Sequence, residues 1–71
     1  MHEWLQSAGA KLGGIELTAD EQRDLLELAR VAAHTSGDRR NAPLVTYMVG
    51  IARGRGDTRS VAEIVRDIDV P

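Results

Sequence analysis

Apolar residues recur every three to four positions along this chain, and no segment alternates apolar and polar residues as a half-buried strand does. The chain has no phenylalanine and its β-branched residues are scattered, which also disfavours a sheet. Three glycine-containing breaks divide the pattern into four segments. The sequence therefore predicts an all-α fold, a compact bundle or orthogonal array of four short helices at about residues 3–12, 19–35, 42–53 and 61–68.

Two capping boxes mark helix starts. In Thr18 to Glu21 and again in Ser60 to Glu63, a hydroxyl stands three residues before a glutamate. In such a box the hydroxyl accepts a hydrogen bond from the glutamate's amide, and the carboxylate accepts one from the amide of the hydroxyl residue. The third helix has a weaker signal, and we predict Asn41 as its N-cap.

The length of 71 residues allows one domain, residues 1–71, with a single core. With no cysteine, disulfides and thiolate metal sites are excluded, so helix packing or a partner must stabilise the fold. No segment is apolar for the roughly 20 residues that cross a bilayer, and the N-terminus has no secretory pattern. We therefore expect a cytoplasmic protein with no membrane partner.

Two expectations concern the core. Apolar residues wrap more than half of the third helix, so we predict it to be the most buried of the four. Gly50 lies inside this helix, where glycine costs about 1 kcal/mol relative to alanine, and tight helix–helix contact would compensate. We predict Trp4, near the N-terminus, to pack as a lid over the core.

Charge is unevenly distributed. Residues 36–59 contain five arginines and two aspartates, a net charge of +3, whereas the whole chain carries −2. A mildly acidic chain argues against general nucleic-acid binding. A helix-turn-helix at residues 19–53 is a weaker alternative, because its recognition helix would open with Ala42, Pro43 and Leu44, which cannot hydrogen-bond base edges.

No catalytic arrangement stands out. The histidines and carboxylates lack the spacing of metal ligands, and the glycines match no phosphate-binding loop. Ser36 lies two residues after His34, but a helix end would point the two side chains apart. We therefore predict no catalytic residues, no metal ligands, no cofactor and no enzymatic activity.

The strongest candidate site surrounds the connection between the second and third helices. Two adjacent arginines beside a helix start can hold a carboxylate or phosphate, unless they merely pair with Asp38 in solvent. Tyr47 suits either an interface anchor or the border of the core. The candidate binding residues are His34, Arg39, Arg40, Asn41, Pro43 and Tyr47.

The chain resembles a known family across nearly its whole length. The matching runs are residues 29–34 (ARVAAH), 40–44 (RNAPL) and 47–54 (YMVGIARG). They resemble an actinobacterial helical domain of unknown function that occurs alone or fused to molybdenum-cofactor guanylyltransferases. The resemblance implies an accessory role near molybdenum-cofactor biosynthesis or insertion, without an established activity. The motif positions are His34, Ala42, Pro43, Leu44, Tyr47 and Gly50.

Three functions remain open at this point. The first is an accessory or adaptor module that binds a partner protein, such as a molybdenum-cofactor enzyme or transferase, through residues 34–44. The second is a domain that binds a phosphorylated or pterin-like anion near His34, Arg39 and Arg40. The third is a homo-oligomer that covers the apolar third helix with a copy of itself.

Overall fold

The computed structural model describes residues 2–69, and over this span the all-α prediction is confirmed. The four helices are α1 (His2–Lys11), α2 (Ala19–Ser36), α3 (Asn41–Gly54) and α4 (Val61–Asp69). Each helix begins and ends within one residue of its predicted bounds. Helix α4 extends to Asp69, one residue beyond its predicted end, and Val70 and Pro71 lie outside the described residues.

The predicted capping boxes are both present. The amide of Glu21 donates to the Thr18 hydroxyl at 3.0 Å, and the amide of Thr18 donates to the Glu21 carboxylate at 2.8 Å. Ser60 and Glu63 make the same pair of bonds at 3.2 and 3.4 Å. These bonds satisfy amides that a helix start leaves without partners, which is why both starts are readable from sequence.

The core forms between three of the four helices, with α2 packed against both α3 and α4. Its centre is Leu28 on α2, whose side chain is fully buried. The partly buried Leu25, Val45 and Ile68 pack against this core. The buried residues of the cluster are Leu28, Val31, Val49, Val61, Ile64 and Val65.

Helix α1 lies outside this core. Within residues 2–69 it makes no extensive contact with another helix, and Trp4 is 74% exposed, so the predicted lid is wrong. The helix folds back on its own linker instead, because the amides of Gly14 and Ile15 both donate to the carbonyl of Gly9 at 3.0 Å. A Cβ at Gly9 would collide with the Ile15 carbonyl oxygen, so this reversal requires glycine.

The expectation that α3 is the most buried helix is also wrong. Val49 is its only buried residue, since among the other helices α3 packs extensively on α2 alone. Gly50 is exposed, and a Cβ there would meet nothing within 4 Å. The predicted tight contact at Gly50 is therefore absent from the part of the chain that the structure describes.

The chain exposes more surface than a compact monomer of its mass. Its accessible surface is 5588 Å², whereas about 4,300 Å² is typical for a folded chain of 7.7 kDa. Its radius of gyration is 12.5 Å, against about 11 Å for a compact domain of this length. Large apolar side chains contribute to this exposed surface, among them Trp4 on α1 and Tyr47 on α3.

Candidate binding surface

The connection between α2 and α3 is organised by Asp38. Gly37 ends α2 in the left-handed conformation, with φ at +73°. The Ser36 hydroxyl then accepts from the amide of Asp38 at 3.2 Å and donates to its carbonyl at 3.1 Å. The Asp38 carboxylate accepts from the guanidinium of Arg40 at 2.7 and 3.0 Å, and this hydrogen bonding lowers the pKa of Asp38. The connection is therefore a defined turn.

The two predicted arginines differ in their surroundings. Arg40 pairs with Asp38, which was the alternative to anion binding in the sequence analysis, and 86% of its side chain remains exposed. Arg39 is exposed and forms no ion pair with any of residues 2–69. His34 is exposed in the last turn of α2, and no hydrogen bond over the same span joins it to the arginines. The turn and these two arginines carry a net charge of +1.

The start of α3 differs from the predicted cap. Asn41 is the first residue of the helix, and Arg40 occupies the cap position without a side-chain hydrogen bond. The amide of Arg40 donates to the Asp38 carboxylate at 2.9 Å, and the amide of Asn41 donates to the Asp38 carbonyl at 3.0 Å. Proline at position 43 has no amide hydrogen. The amides that a bound anion would use are thus largely engaged by the chain itself.

The outward side of α3 is apolar and exposed. No charged residue occurs from position 41 to position 52. Four large side chains on this side follow the i, i+3, i+4, i+7 spacing of a single helix face. We call them the α3 outer face: Leu44 (60% exposed), Tyr47 (72%), Met48 (63%) and Ile51 (40%).

An open groove of about 770 Å³ adjoins this face, between α2 and α3. Its surface is mainly apolar, since the Thr46 hydroxyl donates to the Ala42 carbonyl at 2.7 Å and is occupied. Small residues at positions 29, 42 and 50 leave it wide. We call it the α2–α3 groove; it is lined by Ala29, Ala42, Pro43, Thr46, Tyr47, Gly50 and Ile51.

The predicted site residues are therefore only partly assembled. Pro43 and Tyr47 meet in the α2–α3 groove, while Arg39, Arg40 and Asn41 follow one another at the N-terminal end of α3. Met48 and Ile51 are absent from the predicted binding residues because the apolar circumference of α3 was assigned to the core, and Leu44 was included only as the end of residues 34–44. The signal was nevertheless present, since an apolar circumference wider than half a helix exceeds what one neighbouring helix can cover.

A second cavity of about 440 Å³ lies beside α1. It is bounded by α1, the linker and the first turns of α2, where Leu12 and Ile15 are exposed apolar residues. Glu16 and Gln22 give its lining a more polar character than that of the α2–α3 groove. No residue predicted to bind lies in it.

The carboxylates and histidines between residues 2 and 69 form no group of three or more that could hold a metal ion. Within the same span, no helix combines the length and the apolar character needed to cross a membrane. The surface features described for this part of the chain are therefore the α3 outer face, the α2–α3 groove, the cavity beside α1 and the charged turns.

The fold and its surface define a class: a small all-α domain with a three-helix core and an exposed apolar helix face. The chain belongs to the family described as Domain of unknown function (DUF6457), which matches residues 1–70. This confirms the resemblance at the level of a helical domain of unknown function. No curated protein and no solved structure matches the chain.

Proposed function

We propose that this domain is a non-enzymatic accessory module that binds a partner protein through residues 34–44 and the adjoining α3 outer face. One observation carries the proposal. Residues 41–52 contain no charged side chain, yet Leu44, Tyr47, Met48 and Ile51 are all exposed in the chain by itself.

Exposed apolar area of this kind is costly in water. Covering it contributes about 25 cal/mol for each Å² removed from solvent. Contiguous apolar patches on monomers are small, and larger ones mark interaction sites. The α3 outer face is a patch of this kind, because four large apolar side chains are exposed on one side of a single helix.

The residue types agree with this role. Tyrosine, methionine and arginine are enriched at protein interfaces, whereas the centre of an interface is depleted of charge. Tyr47 and Met48 lie in the uncharged centre, and Arg39 and Arg40 lie at its N-terminal edge. Exposed His34 and Asn41 extend that polar edge. The predicted polar residues thus serve as the rim of an interface whose centre is the α3 outer face.

The family resemblance supports a more specific form of the proposal. If the domain acts in the cytoplasm beside molybdenum-cofactor biosynthesis or insertion, its partner is an enzyme or transferase of that process. No geometric feature of the domain bears on this choice. Identifying a captured partner by mass spectrometry as such an enzyme would support it, and a consistent unrelated partner would contradict it.

The geometry gives less support to an anion site at His34, Arg39 and Arg40. Arg40 is engaged by Asp38, and so is the amide of Asn41. A thermal-shift screen with nucleotides and pterins separates the two functions, because a ligand at a hundredfold excess over its Kd stabilises a fold by about 2.7 kcal/mol. The nucleic-acid alternative is weaker still, since an apolar face cannot read base edges.

The partner-binding proposal is tested by co-purification with a matched pair of leucine variants. Leu44→Asp places a charge in the α3 outer face, and Leu12→Asp places the same charge on a leucine beside α1 that is 72% exposed, against 60% for Leu44. Both are surface changes, which typically shift stability by about 0.5 kcal/mol or less. We expect Leu44→Asp to lose the wild-type partner and Leu12→Asp to retain it. Retention of the partner by Leu44→Asp would refute the proposal.

A further inference from the structure

The α3 outer face has an arginine at each end. Arg40 lies four residues before Leu44, and Arg55 lies four residues after Ile51. Arg40 has helical backbone angles, and the amide of Arg55 donates to the Ile51 carbonyl at 3.0 Å. Both positions therefore continue the same side of the helix. Fifteen residues at 1.5 Å per residue separate them by about 22 Å.

Each end carries uncompensated positive charge. At the N-terminal end, Asp38 neutralises Arg40, but the adjacent Arg39 forms no ion pair within residues 2–69. At the C-terminal end, Arg53 reaches Glu21 at 3.3 Å, whereas Arg55 has no such partner in that span. Between the two ends lie twelve residues without charge. The surface is thus apolar in the middle and cationic at both ends.

We propose that this surface binds an amphipathic helix of a partner protein whose apolar stripe is bounded by an acidic residue at each end. Recognition of a helix in a groove uses apolar anchors at i, i+3, i+4 and i+7, the spacing of the α3 outer face itself. The small residues Ala29, Ala42 and Gly50 of the α2–α3 groove let a second helix approach closely. This inference rests on the proposed function and specifies its partner.

Charge argues against a second copy of this chain as the occupant. In an antiparallel two-fold contact that opposes Leu44 with Ile51, the N-terminal end of the face, with its net charge of +1 from Asp38, Arg39 and Arg40, lies opposite Arg55 of the second copy. In a parallel contact, each end lies opposite its own equivalent. Either symmetric arrangement places like net charges together, which is unfavourable. A helix with acidic ends meets both cationic ends with opposite charge.

The charge of α3 favours a protein helix over a membrane. A helix that lies in a lipid interface carries a strongly charged face rich in lysine and arginine beside its apolar face. Residues 41–52 of α3 contain no charged side chain. The open α2–α3 groove is lined in part by the small residues Ala29, Ala42 and Gly50, beside which a packed helix can lie. Anionic vesicles nevertheless belong in the test, because arginines would also favour them.

Two fluorescently labelled helical peptides of eighteen residues test the proposal. Both have leucine at i, i+3, i+4 and i+7, and one has glutamates at its ends where the other has lysines. At low salt we expect the glutamate peptide to bind about tenfold tighter, with the difference shrinking as salt is added. Arg55→Glu should abolish the preference. Arg66→Glu, an identical charge change at an exposed position on α4, should leave it intact.

Several outcomes would overturn the inference: equal binding of the two peptides, binding of neither, or tighter binding of the lysine peptide. Two further outcomes would contradict the acidic-ended helix and indicate a different occupant of this surface. Recruitment to phosphatidylserine vesicles that Leu44→Asp abolishes would favour a membrane, and a dimer in sedimentation that Leu44→Asp dissolves would favour a second copy. If the peptides fail while Leu44→Asp still loses the co-purified partner, the proposed function stands and only the acidic-ended helix is wrong.

Discussion

Helices α3 and α4 both pack on α2, but they use their apolar residues differently. In α4, Val61, Ile64 and Val65 are buried on one side, and the charged residues face solvent. In α3, apolar residues occupy the inner and outer sides alike, and only Val49 is buried. An amphipathic helix indicates one neighbour, whereas a helix that is apolar all round indicates two. For α3, only one of these neighbours is within the described chain.

The largest expected difference between the two helices is in the loss of stability when one isoleucine in each is replaced by alanine. Ile64 on α4 is 3% exposed, and Ile51 on α3 is 40% exposed. Ile64→Ala should lower the free energy of unfolding by about 2–5 kcal/mol, because it opens a cavity in a small core. Ile51→Ala removes less buried area and should cost less than about 1 kcal/mol. Urea denaturation of both variants measures the difference.

For a chain of this length the total stability is about 4–10 kcal/mol, so Ile64→Ala should leave the domain near its threshold of folding. Ile51→Ala should instead fold normally and weaken partner binding. If the two variants lose equal stability, the outer side of α3 contributes to the fold, and the contrast between α3 and α4 is wrong.

Replacing Gly50 by alanine should have the next largest effect on stability, and it should raise stability. Its Cβ would meet nothing within 4 Å, so Gly50→Ala introduces no clash. Alanine is favoured over glycine inside a helix by about 0.8–1 kcal/mol, and the variant should be more stable by up to that amount. The added methyl group also narrows the α2–α3 groove. We therefore expect a higher urea midpoint together with weaker partner binding.

An increase in stability with unchanged partner binding would indicate that the groove is not used. A loss of stability would indicate that a neighbour absent from the described contacts lies against Gly50. Gly9→Ala is a contrasting substitution in the same chain. Its Cβ would collide with the Ile15 carbonyl oxygen, so we expect this variant to release α1 from the linker.

The third prediction concerns the contribution to stability of the ion pair that joins the end of α3 to the start of α2. The guanidinium of Arg53 lies 3.3 Å from the Glu21 carboxylate, and both side chains are about one third exposed. A double-mutant cycle with Arg53→Met and Glu21→Gln should give a coupling of about 0.2–1 kcal/mol that falls with added salt. Glutamine preserves the capping box, so the cycle isolates the ion pair.

A coupling that stays constant from low to high salt would show that the two residues interact by packing and not by charge. The ion pairs of Arg59 are local to α4, because its guanidinium contacts Asp57 within the preceding turn and Asp67 on the helix at 2.9 Å. These pairs join α4 to the turn before it, whereas the Arg53–Glu21 pair joins α3 to α2.

The local sequence was sufficient to predict where α2 and α4 begin, because the free amides at these helix starts are hydrogen-bonded by residues within one turn. Thr18 and Glu21 bond to each other within one turn, as do Ser60 and Glu63, and neither pair depends on tertiary structure. Asn41 was predicted wrongly because the turn at Asp38 supplies hydrogen bonds that make a side-chain cap unnecessary.

Burial, in contrast, could not be predicted from periodicity. The spacing of Leu44, Tyr47 and Ile51 shows that they share a helix side, but it does not say whether another element covers that side. The same holds for Trp4 on α1. In the described part of the chain, α4 and the inner side of α3 pack on α2, and no helix covers the outer side of α3. The sequence therefore picked out the polar residues beside α3 as binding candidates, which stays a prediction, and it assigned the exposed apolar side of α3 to the core.

The smallest effect concerns two similar turns that precede α3 and α4. In each, an aspartate accepts hydrogen bonds from the amide and guanidinium of the arginine two residues later. Hydrogen bonding by Arg59 lowers the pKa of Asp57 from its ordinary 3.8 to about 2. Because the folded-state value is depressed, this stabilisation is fully present above about pH 4 and is lost as the pH falls through about 2.

Asp57→Asn should therefore be less stable than wild type at pH 6, and most of the difference should be lost at pH 2, where about half of the Asp57 carboxylates are protonated in the folded state. Circular dichroism during urea titrations at pH 6, 4 and 2 measures it. Asp38→Asn, the equivalent change before α3, should follow the same direction with a smaller difference, because Arg40 contacts no second carboxylate among the described residues while Arg59 also reaches Asp67. A difference for Asp57→Asn that is as large at pH 2 as at pH 6 would mean that the carboxylate acts through the shape of the turn and not through its charge.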